Sequence, residues 1–175
     1  MHDGHHQQDE KWIRHAMSLA TRAEQLGEVP VGAVIVDNTG QVLGEGWNTP
    51  ITSHDPSAHA EMNAVRAAAR FRENYRVIDS TLYVTLEPCP MCAGLLVHSR
   101  VSRVVFGAFD NKTGAAGSVM NLTAHPELNH QLKVTGGVLA TACAEQLSAF
   151  FKRRREEIKA AKQARNAVMK PAPDQ

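Results

Sequence analysis

Two short fragments, His59-Ala60-Glu61 and Pro88-Cys89-Pro90-Met91-Cys92, constrain this chain more than anything else in it. Cys89 and Cys92 are three apart, so on the first turn of a helix both sulfurs face one side. A helix N-terminus carries positive partial charge, which favours thiolates. His59 and Glu61 are two apart, a spacing that points side chains away from each other inside a helix. Both can serve one point only if His59 stands at the helix entrance. Two thiolates and one imidazole balance a divalent cation and leave a fourth position open, as in catalytic rather than structural zinc sites. Other readings of the same residues are a redox CxxC pair, a four-ligand structural zinc, and for Glu61 a dipole-favoured acid in a first helical turn. Cys143 lies in an Ala-rich stretch and reads as a small buried hydrophobe, and His54 and His98 as surface or capped histidines.

The elements around these fragments follow from periodicity. From Asp9, apolar residues recur at Trp12, Ile13, Ala16, Met17, Ala20 and Ala23, an amphipathic helix that Gly27 is placed to end. The runs 31–36 and 41–47, joined by Asp37-Asn38-Thr39-Gly40, read as a hairpin. Asp55-Pro56-Ser57 is expected to open a second helix through about Arg72. Thr81–Leu86 reads as a buried strand, Pro90 to about His98 as a helix, and Val101–Gly107 as a further strand. A polar loop follows over 108–118, then a weaker strand at 132–135 and a helix from Ala142 to about Arg165. This order argues for one α/β domain over 9–165, a mixed sheet with helices on both faces. Residues 1–8 and 166–175 are expected to be disordered tails.

At 175 residues, 43% hydrophobic and 21% charged, the chain suits one ordinary domain with a real core. Formal net charge is only +1, but its distribution is uneven. Residues 152–165 carry seven basic side chains against Glu156 and Glu157, so the remainder is acidic. A positive element on an acidic body suits phosphate contacts. No apolar run approaches the roughly 18–20 residues that cross a bilayer, which excludes a membrane helix. With no signal-peptide pattern, a cytoplasmic location is expected.

The combined pattern H-x-E…P-C-x-x-C is that of zinc nucleobase deaminases, in which the Glu is the general acid/base. The flanking segments are more specific: EVPVGAV (28–34), GEGWN (44–48), HDPSAHAE (54–61), LYVTLEPCPMCAG (82–94), VVFGA (104–108), KTGAAGS (112–118) and FFKRRR (150–155). Through them the chain, from about Trp12 to Lys162, resembles the bacterial tRNA-specific adenosine deaminases of the cytidine deaminase-like superfamily. The resemblance implies a three-layer α/β/α sandwich with a central mixed sheet of about five strands. It implies one zinc per subunit on His59, Cys89 and Cys92, with Glu61 as the catalytic proton carrier. The implied reaction is hydrolytic deamination of adenosine to inosine at the wobble position of a tRNA anticodon, by a homodimer. In substrate binding it implies Asn48 and the backbone of Ala60 at the flipped base, Glu28, Val29 and Pro30 along the pocket, and Asp110 near the sugar-phosphate. Phe151, Arg154 and Arg155 correspond to the helix that holds the RNA. Phe109 and Pro90 depart from or vary within the pattern, outside the metal shell. A deaminase of a free base or nucleoside, and a zinc-stabilised RNA-binding module without catalysis, are the alternatives.

Overall fold

The computed structural model describes residues 2–168, with side chains over 6–167. Five strands, β1 (Gly32–Asp37), β2 (Val42–Trp47), β3 (Ser80–Leu86), β4 (Arg103–Ala108) and β5 (Lys133–Gly136), form one sheet in the order β2-β1-β3-β4-β5. β1 pairs antiparallel with both β2 and β3, while β3–β4 and β4–β5 are parallel. The sheet is therefore mixed, as the element order implies.

Helices cover both faces because the central strands are apolar on both. Ala33, Ile35, Leu82, Val84, Val104 and Phe106 belong to one buried cluster, with Ala60, Ala64 and Ala68 of α3 (Ala60–Arg72) and Leu96 and Val97 of α4 (Pro90–His98). The alternate residues Val34, Val36, Tyr83 and Val105 belong to a second. There they meet Trp12, Ile13 and Leu19 of α1 (His2–Gln25) and Cys143 of α5 (Ala140–Val168). This period-two division gives the three-layer α/β/α sandwich.

The helix expected from Asp55 begins only at Ala60. The Asp55 carboxylate instead accepts from the amide (2.8 Å) and hydroxyl (2.6 Å) of Ser57, and Ala58 N–H donates to Asp55 O. Those bonds close a turn where a helix would need an open ladder. A four-residue helix, α2 (Pro50–Ser53), precedes it and was not expected. At the termini, α1 starts at His2, seven residues before the expected start at Asp9 and within the stretch 1–8 expected as a tail, and α5 runs three residues past Arg165. Residues 169–175, expected as tail, lie outside the described residues. Among the described residues no helix is long and apolar enough to cross a membrane.

α3 lies unusually close to the sheet, and glycine is what permits it. A Cβ added at Gly44 would stand 2.5 Å from Ala68 N, and one at Gly46 2.5 Å from Ala64 N. Two bare positions on β2 thus let the helix backbone rest on the strand. The entrance of that helix, at Ala60, is where the functional residues begin.

Candidate active site

His59 is the N-cap of α3, with an extended backbone (φ −71°, ψ 159°), and Glu61 follows in the first turn. The junction demanded by their spacing is therefore present. Asn48, just past β2, accepts the Ala60 N–H on Oδ1 at 2.9 Å and so satisfies a helix-entrance amide from twelve residues upstream. Cys89 is the N-cap of α4, also extended (φ −73°, ψ 171°), with Pro90 next and Cys92 three residues on. Both entrances sit beside the carboxyl end of β3, where open α/β sheets place their ligands.

The His59 Nδ1 lies 3.6 Å from each of the Cys89 and Cys92 sulfurs, and all three ligand atoms fall within 4.8 Å of one another. A tetrahedral zinc, with Zn–S about 2.3 Å and Zn–N about 2.0–2.1 Å, sets sulfur and nitrogen about 3.6 Å apart. The donor set and its spacing fit that ion. No other such group of His, Cys, Asp and Glu occurs among the described residues. His54 and His98 stand outside the group, and Cys143 is buried against Gly107, its thiol pushed up to about 11 by desolvation.

The thiols respond as a pair. Cys89 is drawn down to about 4, first by its hydrogen bond with Cys92 and then by His59, while Cys92 is pushed far up by the hydrogen bond with Cys89 and by burial. Ionisation of one sulfur opposes ionisation of the other, and a metal held by both displaces their protons. His59 is raised by its bond to the Cys89 sulfur, against partial burial. Glu61 is 4% exposed, and desolvation pushes its carboxyl up to about 7. A buried carboxyl poised near neutrality can both take and give a proton at working pH.

A cavity of about 220 Å³ opens on these groups, lined by Val29, Val31, Asn48, His59, Glu61, Leu86, Glu87, Cys89, Asp110 and Thr113. Of the loop 28–30 only Val29 lines it. The Glu28 carboxylate is buried and turns to Thr52, accepting from its amide at 2.7 Å and its hydroxyl at 2.9 Å. Pro30, also buried, is not on the wall. Ala60 reaches the site through Asn48, because its N–H is already given to that side chain. Asp110 is on the wall. Desolvation opposes its ionisation, yet the Thr113 hydroxyl at 2.7 Å and the amides of Lys112 and Thr113 hold its carboxyl below the ordinary value.

On α5, Phe151 and Arg155 line a shallow groove with Lys112 and Ser148, next to the loop that carries Asp110. Arg154 pairs with Glu157 at 3.0 Å, and Arg153 with Glu24 at 2.8 Å and Glu157 at 3.7 Å, whereas Arg155 lines the groove. Sequence reasoning passed over Val31, Leu86, Glu87 and Thr113. Glu87 had a signal, a charged residue closing an apolar strand immediately before the cysteine fragment.

A three-layer sandwich whose two helix entrances bring one imidazole, two thiols and a buried carboxyl to one cavity defines a zinc-dependent hydrolytic deaminase. Comparison agrees. Residues 6–108 match the cytidine and deoxycytidylate deaminase zinc-binding region. The chain is 56% identical to a tRNA-specific adenosine deaminase of Haemophilus influenzae over 86% of this chain and 87% of that one. It is 48% identical to the tRNA-specific adenosine deaminase of Bacillus subtilis, over 89% and 96% respectively. A solved structure from work on A-to-I editing by tRNA:A34 deaminases superposes with a TM-score of 0.74 at 34% identity, covering 78% of this chain and 98% of that one. The chain belongs to the tRNA-specific adenosine deaminases, within the cytidine and deoxycytidylate deaminase zinc-binding family.

Proposed function

We propose that this protein deaminates adenosine to inosine at the wobble position of a tRNA anticodon, with His59, Cys89 and Cys92 holding one zinc. The observation that carries the chemistry is the buried Glu61 beside a three-ligand group whose spacing suits a tetrahedral ion. The choice of adenosine in tRNA is supported by the family and by the basic groove of Phe151, Arg155 and Lys112.

Zinc, when bound, supplies the Lewis acidity that makes water nucleophilic near neutral pH. Glu61 takes the proton of the water that adds at C6 and passes it to ring N1. Glu61 then carries the remaining proton of the hydroxyl added at C6 to the exocyclic amine; the C6–N bond breaks as the C6 carbonyl forms, ammonia leaves, and inosine remains. Asn48 keeps its amide N–H groups for the base, since Oδ1 is engaged by Ala60. Val29 supplies an apolar wall, and Asp110 stands where the sugar-phosphate would pass. Phe151, Arg154 and Arg155 offer an exposed ring and charges to the RNA backbone. A splayed anticodon loop suits such a cavity, because a duplex would hide the target atom. We further assign the activity to a single domain over 9–165, acting in the cytoplasm as a homodimer; the family resemblance supports the pairing.

The test is mass spectrometry of an anticodon hairpin incubated with the zinc-loaded protein, beside free adenosine, cytidine and guanine. Inosine at the wobble position is expected. Faster turnover of a free base or nucleoside would overturn the substrate assignment.

A further inference from the structure

Glu87 is buried to 2% exposure, yet it is not among the ligand atoms or the proton-carrying groups. Its carboxylate faces the loop that follows β4 and accepts four hydrogen bonds from it. Oε1 takes the amides of Ala116 (3.1 Å) and Ser118 (3.0 Å). Oε2 takes the amide of Asp110 (3.0 Å) and the Ser118 hydroxyl (2.5 Å). The loop closes around the carboxylate so tightly that a Cβ at Gly114 would lie 2.5 Å from Oε2. Main-chain bonds, Glu87 N–H to Ala108 O and Ala115 N–H to Pro88 O, stitch the same two segments together.

This placement has a consequence for the cavity. Glu87 sits two residues before Cys89, and the loop it gathers presents Asp110 and Thr113 to the same cavity. We propose that Glu87 is a positioning residue for substrate binding, its carboxylate fixing the 110–118 loop against the segment that bears the metal ligands. Every partner is a donor, so an acceptor-only side chain is required. Glutamine has nearly the same shape but fails in either orientation. With its NH₂ toward Ala116 and Ser118 it orphans two amides; turned the other way it orphans that of Asp110. The loop wall would meet substrate in ground and transition states alike, so its loosening falls on KM more than on kcat.

The test rests on the proposed activity only in its kinetic arm. Zinc-loaded Glu87→Gln and Ser118→Ala proteins are compared with wild type for zinc content, for amide hydrogen exchange over 110–118, and for kcat and KM on an anticodon hairpin. Full zinc is expected in all three proteins. Exchange over 110–118 rises by about tenfold or more in Glu87→Gln and less in Ser118→Ala. KM rises by roughly tenfold in Glu87→Gln while kcat falls no more than about threefold. Unchanged loop exchange, loss of zinc together with activity, or a fall in kcat at constant KM would each overturn the assignment. If Glu87→Gln does not fold, the same readings on Ser118→Ala decide. A wild-type protein that leaves the hairpin unconverted would sink the proposed function, with exchange and zinc content still judging Glu87.

Discussion

Replacing Gly46 by alanine tests how the sheet holds the catalytic helix. The added Cβ would stand 2.5 Å from Ala64 N, 2.9 Å from Asn63 Cβ and closer still to Ala60 O. Relaxed contacts between such atoms lie at about 3.5–4.0 Å, so α3 must retreat by roughly 1 Å. The obstacles are mostly backbone, which cannot swing aside. The cost therefore belongs at or above the top of the usual range for overpacking, about 3 kcal/mol. For a domain of this size that lowers Tm by roughly 6–12 °C. Ala60 sits between His59 and Glu61, so the same retreat misplaces both. A 1 Å error at a reacting centre costs on the order of 10²-fold in rate. Gly94 is the matched control, because a Cβ there meets nothing within 4 Å and α4 would gain up to about 1 kcal/mol in helix propensity. Urea unfolding should therefore shift the two variants in opposite directions, while kcat/KM falls only in Gly46→Ala. If Gly46→Ala unfolds within about 0.5 kcal/mol of wild type and keeps its kcat/KM, the contact reasoning fails.

Two further outcomes follow from named contacts. Asp9, 4% exposed, grips Arg103 through both carboxylate oxygens at 2.8 and 2.6 Å, tying α1 to β4. Asp9→Ala should lower the unfolding free energy by about 2–3 kcal/mol, since it strands a partly buried guanidinium; a change under about 0.5 kcal/mol in a urea titration would show that water satisfies Arg103 instead. Arg155→Ala should weaken hairpin binding and reduce the slope of log K against log salt by about 1, whereas Arg153, already held by Glu24 and Glu157, should leave that slope unchanged. Equal slopes for the two variants in filter-binding titrations would contradict the assignment of the groove.

Strong periodicity made most of the fold legible. The helix at Pro90–His98 was expected with those bounds, and the strands of the central sheet to within two residues, because both faces are buried and the apolar pattern is unambiguous. The metal group was legible because its ligands are chemically rare residues at short spacing. What escaped was set by side-chain bonds, over two residues at Asp55–Ser57 and over 23 or more at Glu28 and Glu87. The Asp55–Ser57 bonds moved the start of α3 to Ala60, and Thr52 drew Glu28 away from the cavity. Glu87 escaped for the same reason, since its four partners lie 23 to 31 residues later in an irregular loop. Local spacing carries no trace of the long-range pairings.

The most direct measurement is inosine formation in an anticodon hairpin by the Glu61→Gln protein, with zinc content determined on the same sample. Glutamine keeps the size of the buried side chain and removes its capacity to carry a proton. The account predicts one zinc per chain, as in wild type, hairpin binding within a few-fold, and inosine formation reduced by about 10²–10⁴-fold. Conversion at the wild-type rate by a zinc-loaded Glu61→Gln protein would contradict it.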